Sequence, residues 1–359
     1  MVTIAFNYID CRVWMGGYNY LLNLVNAMSK FSPDRIRSVI FVGTNINSED
    51  LSAFEAIERV RVVRNQIFNS NRSRLRLFKA IVLGSDNEAL AIFLENRIDI
   101  VFETSKFYGW RFPLPTLTWI PDFQHLYLKR LFGWRAFWKR EIGFKVQAMS
   151  GRHIMLSSED ARKDCERYYP TTRGRTSVVR FCVPPSKLPS IEEASRIVEA
   201  YKLPKNFFFL PNQFWAHKNH ICVINALSIL KERSINIVVA CSGKQIDERD
   251  PYYFKKIHDL IYSSGLEGGV RLLGVIPRAH IMALMTKCAA LINPSKFEGW
   301  STTVEEAKAI GAPMILSGLR VHKEQCKDAI FFDPDSSDQL ANILEQFNST
   351  IQRKGESWN

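Results

Sequence analysis

Glu298 and Glu306 bracket the run Glu298-Gly299-Trp300-Ser301-Thr302-Thr303-Val304-Glu305-Glu306, which leads into Ala307-Lys308-Ala309-Ile310-Gly311-Ala312-Pro313. The pattern places the first carboxylate on a loop and the second on a short helix that stops at Gly311. Carboxylates there can accept hydrogen bonds from the hydroxyls of a sugar and of a ribose. Between them, the first helical turn offers unpaired N–H groups and the positive end of the helix dipole, which suit a diphosphate. The spacing describes a site for a nucleotide-linked sugar. The alternative is a pair of solvated acids favoured at a helix start by the same dipole, and Glu305 beside Glu306 leaves the register open.

Further clusters carry chemistry of a similar kind. In Phe214-Trp215-Ala216-His217-Lys218-Asn219-His220, after the apolar run Phe207–Pro211, Lys218 is a point charge on a strand-to-helix turn, suited to a diphosphate. An ordinary surface lysine is the alternative. In Trp119-Ile120-Pro121-Asp122-Phe123-Gln124-His125, the imidazole of His125 can donate to a transferring sugar or stabilise a leaving phosphate. A capping Asp122 with a packed histidine would look the same. Gly16-Gly17, on the expected loop between the first strand and the first helix, would let backbone approach a diphosphate or sugar, or form a plain tight turn. The dinucleotide fingerprint G-x-G-x-x-G is absent. Asp333-Pro334-Asp335 has the outline of a metal-binding D-x-D, but the proline and following serines mark a helix cap, and no other cluster has ligand spacing. No metal is expected.

The Glu298–Glu306 segment, the Lys218 turn, the Asp122–His125 turn and Gly16-Gly17 together resemble the retaining GT-B glycosyltransferases usually called family 4, from about Val2 to Leu340. The resemblance implies that Glu298 meets hydroxyls of the donor sugar and Glu306 the ribose. Gly299, Ser301, Thr302, Thr303, Asn212 and Gln213 would line the diphosphate, and Gly274, Val275 and Ile276 the base. It also implies that His125, Glu298 and Lys218 act at the reacting centre, with Asp122 toward the acceptor and Gly16-Gly17 toward the ligand. Two departures stand out. Ser301 replaces a usual glycine, and Asn212-Gln213 stand where an arginine is frequent, with Arg320 a candidate to compensate. The implied reaction moves a sugar, GDP-mannose being the leading donor with UDP-sugars and dTDP-rhamnose open, to a glycan or lipid-linked acceptor in polysaccharide biosynthesis. Other readings are a nucleotide-sugar epimerase or hydrolase, or a non-enzymatic protein that binds membranes or polyanions.

The elements that must position these residues alternate. Strands are expected at Val2–Asn7, Ser38–Gly43, Ile98–Phe102, Thr116–Trp119 and Ile154–Ser157, with a helix at Tyr18–Lys30. A second series runs from Phe207–Pro211 through Asn236–Cys241, Val270–Leu273, Ala289–Asn293 and Pro313–Leu316, with helices between. The pattern implies α/β architecture: two Rossmann-like, doubly wound parallel sheets facing across a cleft. Pro184-Pro185 and Pro189 mark a linker, so the expected domains are 1–183 for the acceptor, 184–335 for the nucleotide sugar, and a C-terminal helix in 336–359 that packs back toward the first domain.

At 359 residues, 46% hydrophobic and 23% charged, the chain has the size and balance of two globular domains. No apolar run is long enough to span a bilayer, and the N-terminus lacks a signal-peptide layout. Seven scattered cysteines read as buried thiols in a reducing cytosol. The net charge of +12 points to polyanions or a membrane surface. Two basic stretches fit the latter: Arg59–Ser85, with Arg72, Arg74, Arg76 and Lys79, and Leu128–Lys145, where cations interleave with Trp134, Phe137 and Trp138. Amphipathic helices packed on the sheet are the alternative for both. Nucleic acid fits less well, since no recognised binding fold is visible. The expected location is cytoplasmic, peripheral on the inner face of the membrane.

Overall fold

The structure, a computed structural model, describes residues 1–69, 73–104, 106–183 and 188–356. Arg72, the side chain of Arg74 and the Pro184-Pro185 linker lie outside the described parts.

The first sheet contains β1 (Val2–Asn7), β2 (Ile36–Val42), β3 (Val60–Arg64), β4 (Ile100–Thr104), β5 (Thr116–Ile120), β6 (His153–Leu156) and β7 (Thr176–Val178). All neighbours are parallel, in the order β3-β2-β1-β4-β5-β6-β7. The order reverses direction between β1 and β4, which is where such sheets open a crevice at the strand carboxyl ends. The helices in this part of the chain are α1 (Met15–Phe31), α2 (Ser52–Glu55), α3 (Ser73–Leu83), α4 (Asn87–Glu95), α5 (Gln124–Tyr127), α6 (Trp134–Met149) and α7 (Glu159–Tyr168). The basic stretch 59–85, expected either to meet a membrane or to form an amphipathic helix on the sheet, divides into β3 and α3. Val60, Val62 and Val63 favour a strand, and the exposed Arg61 and Arg64 suit an edge that must not pair further.

The second sheet holds β8 (Phe207–Leu210), β9 (Val238–Ser242), β10 (Val270–Gly274), β11 (Leu291–Asn293), β12 (Met314–Ser317) and β13 (Ile330–Phe332), ordered β10-β9-β8-β11-β12-β13 and again parallel. Its helices are α8 (Ile191–Ala200), α9 (His220–Glu232), α10 (Tyr253–Ser263), α11 (Arg278–Lys287), α12 (Thr302–Ala309), α13 (Arg320–Gln325) and α14 (Ser337–Glu356). Every residue of central β8 is fully buried, because helices cover both faces and leave no polar side for alternation.

The chain forms two compact units: residues Met1–Phe123 with Trp134–Cys182, and Gln124–Gly133 with everything from Val183 on. The segment Gln124–Gly133 therefore belongs with the second unit, where the sequence assigned it to the first. The helix α14, expected to pack toward the first domain, lies against α9, with Phe347 on Phe208 of β8 at 5.9 Å between rings. Its apolar stripe completes the hydrophobic cluster of the second sheet, which explains the placement.

Candidate functional site

The site is built at the carboxyl ends of β8, β11 and β12. After β8 the chain crosses Asn212 and Gln213, makes a short 3-10 turn at Ala216–Lys218, and enters α9 through Asn219 in the left-handed region (φ 58°). Asn219 tolerates that conformation and uses its amide to hold neighbouring loops, donating to the carbonyls of Pro294 (3.1 Å) and Pro334 (2.8 Å). This turn aims Lys218 at the loop after β11. There, Lys218 Nζ donates to Glu298 Oε1 at 2.6 Å, and both side chains are largely buried. The Ser295 hydroxyl lies 2.7 Å from the same carboxylate oxygen. Burial alone would raise the Glu298 carboxyl, but the Lys218 charge and hydrogen bond, helped by His322, hold it down at about 2. Glu298 is a fixed anion.

A polar network sets this geometry. Asn212 Nδ2 donates to Asn293 Oδ1 (3.1 Å), and Asn293 Nδ2 donates to Ser301 Oγ (3.1 Å). The Ser317 hydroxyl donates to the Ser295 carbonyl (2.6 Å). Ser301 is the N-cap of α12, and its own N–H donates to Gln325 Oε1 (3.0 Å) while Gln325 Nε2 returns a bond to the Ser301 carbonyl (3.0 Å). Ser301, expected to offer its amide or hydroxyl to a phosphate, is instead buried and committed to this cap. Gln325 of α13, far along the chain, has taken the donor. Thr302 and Thr303, which follow at the start of α12, keep their N–H groups in the first turn, and Gly299 stays partly open on the loop before it.

The structure separates the two adjacent glutamates. Glu305 is buried and accepts from Gln325 Nε2 (3.2 Å), whereas Glu306 pairs with Arg278 at 3.0 Å. Burial raises both carboxyls, and Arg278 opposes the rise at Glu306. Arg278 opens α11, with Pro277 between it and the stretch Gly274, Val275 and Ile276. Gly274 ends β10 at φ +67°, Val275 is exposed and Ile276 is buried. The ion pair thus ties the loop expected at the base to the carboxylate expected at the ribose.

Residues that pattern reading passed over complete the surroundings. His217 is buried and accepts a hydrogen bond at Nδ1 from Arg249 Nη2 (3.1 Å), and its carbonyl accepts from the Lys296 N–H (2.8 Å). Burial, with Lys218 and Arg249 nearby, pushes this imidazole down to about 3, so it is neutral at pH 7. Asp247, also buried, receives the Ala216 N–H (2.9 Å) and pairs with Arg249 Nε (3.2 Å). His322 is fully buried and bonded through Nδ1 to the Ser317 carbonyl (2.9 Å). Only adjacency to Lys218 pointed to His217. Asp247, Arg249, His322 and Gln325 come from other loops and helices with no motif to mark them. Arg320 opens α13 with its side chain exposed.

The Asp122–His125 turn is divided between the two units. His125 is fully buried on α5 and stands edge-on to Phe132 at 6.4 Å. The same short helix places Tyr127 5.5 Å from the ring of Phe297, the neighbour of Glu298. Asp122 belongs to the first unit and accepts from Arg140 of α6 at 3.0 Å. Gly16 and Gly17, expected on a loop, are already in the first turn of α1. Gly17 is required there by Trp14: a Cβ would stand 2.2 Å from the indole ring. The Asp333–Asp335 turn is a local cap before α14, with the Asp335 N–H donating to Asp333 Oδ1 (2.9 Å). Among the described residues no group of three His, Cys, Asp or Glu is placed to hold a metal.

Two parallel α/β domains with a lysine–carboxylate pair at the strand ends of the second have the architecture of GT-B glycosyltransferases. Residues 191–351 match the family described as glycosyl transferases group 1. The O-antigen chain mannosyltransferase RfbU of Salmonella typhimurium is 21% identical over 220 residues, which cover 58% of this chain and 57% of the relative. A glycosyltransferase from Rickettsia africae superposes with a TM-score of 0.72 at 17% identity, covering 98% of this chain and 89% of the other. Anabaena Alr3699/HepE, solved with UDP and glucose, superposes at 0.69 and 17% identity, covering 99% and 91%. At these identities the structural likeness speaks to the fold.

Proposed function

We propose that the protein is a retaining, metal-independent glycosyltransferase of the family 4 type, moving a sugar from a nucleoside diphosphate to a glycan or lipid-linked acceptor in O-antigen or related cell-surface polysaccharide assembly. The observation that carries the reading is the buried Lys218–Glu298 pair beside the N-terminal turn of α12. A charged carboxylate held at one orientation can accept from sugar hydroxyls, and the adjacent cation and free N–H groups of α12 can face a diphosphate. Glu306 then receives the ribose, with the base over Gly274–Ile276. Catalysis consists of positioning and of neutralising the diphosphate as it leaves. GDP-mannose is the favoured donor, supported by the mannosyltransferase relative. The complex of Alr3699/HepE with UDP keeps UDP-sugars in the test.

A lipid-linked acceptor accords with α6, where Trp134 and Trp138 are 71% and 54% exposed among the exposed Arg135, Lys139 and Lys145. Amphipathic aromatic groups beside cations suit the headgroup layer of an anionic membrane. No described helix is long and apolar enough to cross a membrane.

The test is a thermal-shift series with GDP, UDP, dTDP and ADP, with and without magnesium, on the wild type and Glu306→Ala. A ligand that binds only the folded state raises the melting temperature. One nucleotide should stand out, without need of magnesium, and lose its effect in the variant. No shift with any nucleotide would sink the reading. Sedimentation with anionic vesicles tests the membrane contact separately.

A further inference from the structure

We propose that Arg249 supplies the second cation of the diphosphate subsite, in the place left without an arginine at Asn212-Gln213. The assignment rests on the donor-site reading above.

The side chains at 212 and 213 are spent on structure. Asn212 is buried against Asn293, and Gln213 Oε1 accepts the Lys244 N–H at 2.7 Å. Lys218, the cation that remains on this turn, is already matched by Glu298 at 2.6 Å. Each cation at this turn has its own carboxylate, Glu298 on Lys218 and Asp247 on Arg249, so what Arg249 adds is directed N–H donors rather than net charge.

Arg249 reaches the same turn from the loop after β9. Its guanidinium lies 5.5 Å from the ring of Trp215 and 6.0 Å from Phe132, and it donates to His217 Nδ1, next to Lys218. Asp247 fixes the side chain from behind, accepting from both the backbone N–H (3.0 Å) and Nε (3.2 Å) of Arg249 while also holding Ala216. A further donation goes to Gln124 Oε1 (3.2 Å), beside His125. Three of the five guanidinium N–H groups are so engaged, which leaves two for a ligand. The side chain keeps 27% of its surface open. The neutral state of His217 fits this arrangement: burial above all, with Lys218 next, disfavours the imidazolium, and the neutral ring accepts at Nδ1 from the guanidinium. The fork geometry matches phosphate oxygens better than an ammonium would.

The experiment uses calorimetric titration of the full chain with the diphosphate from the thermal-shift series that binds best, and with the corresponding monophosphate. Arg249→Gln, Arg249→Lys and Arg320→Gln are compared with the wild type. Arg249→Gln should weaken the diphosphate about 10- to 100-fold, the scale for a charge-assisted contact, and leave the monophosphate nearly unchanged. Arg249→Lys should recover part of the loss. Equal weakening of both nucleotides would show that Arg249 only holds the turn together, and would overturn the assignment. So would an unchanged diphosphate affinity, or a loss confined to Arg320→Gln. If the wild type binds no nucleotide, the donor-site reading fails and this assignment with it.

Discussion

The two sheets finish their strands in contrasting ways. In the second, β8, β11 and β12 run out into amides, hydroxyls and a buried ion pair, joined by side-chain hydrogen bonds from Asn212 to Gln325. In the first, β5 ends beneath stacked rings: Trp119 lies 4.1 Å from Tyr20 and 5.4 Å from Trp14, and Tyr20 lies 5.9 Å from Phe181. A hydrogen-bond network directs every lone pair and so holds charges to one geometry, whereas stacked rings supply contact area with looser orientation. The second unit therefore holds its lysine–carboxylate pair at one geometry, as the proposed donor site requires. The first stacks rings at the end of β5, next to a β4 whose buried Glu103 is paired with Arg152 at 2.6 Å.

Breaking the ion pair should have the largest effect. Lys218→Ala leaves Glu298 charged, buried and alone, which should abolish sugar transfer and lower stability by about 3–5 kcal/mol in a denaturant titration. The double variant Lys218→Met/Glu298→Leu should regain much of that stability and none of the activity. If it is no more stable than the single variant, the pair is not what the network is arranged around. Trp119→Ala tests the aromatic side. Loss of a buried indole should cost about 3–5 kcal/mol, yet the folded protein should bind nucleotide as before, because the ring touches no part of the network. A large drop in nucleotide affinity would erase the contrast.

Acid should weaken the second unit in two windows. His217 and His220 are both pushed to about 3, chiefly by burial. The stability each confers is full above its unfolded value of 6.5 and is lost as pH falls toward 3, with a slope of about 1.4 kcal/mol per pH unit for each proton taken up. Glu298 acts lower: its contribution is present above 4.5 and fades as pH falls through about 2. His220 stacks on Phe214 at 4.2 Å, so His220→Phe keeps the packing and should remove one proton from the first slope. An unchanged slope in pH-dependent unfolding would contradict the assignment.

The smallest effects separate the two glycines. Gly17→Ala should cost about 1–3 kcal/mol, since the indole of Trp14 must move. Gly16→Ala meets only Trp14 Nε1 at 3.3 Å and gains helix propensity, so it should stay within about 1 kcal/mol of wild type. Melting temperatures of the pair decide whether Trp14 packing or a loop conformation explains the motif.

Much of the fold was legible in the chain. Apolar runs such as Phe207–Pro211 and Pro313–Leu316 fall on strands because strands buried on both faces need unbroken apolar sequence. The three-residue β7 and β13 escaped, whereas the equally short β11 was legible because the apolar run Ala289–Asn293 extends it. The charges of Arg59–Ser85 pointed only to a membrane contact or an amphipathic helix, while pairing with β2 favoured a strand for Val60–Arg64. Gly16-Gly17 read as a loop because glycine ordinarily marks one, and nothing local announced that Trp14 would fold back over the helix.

By itself the sequence determined that a lysine follows the first strand of the second series and that carboxylates flank the start of α12, since neighbours in a chain must stay neighbours in the fold. Tertiary structure decided the rest. Gln325 closed the Ser301 amide and buried Glu305, Arg278 took Glu306, and Arg249 came to His217 from another loop. Burial and choice of partner depend on segments far apart in sequence, and spacing along the chain carries no record of which of them will meet.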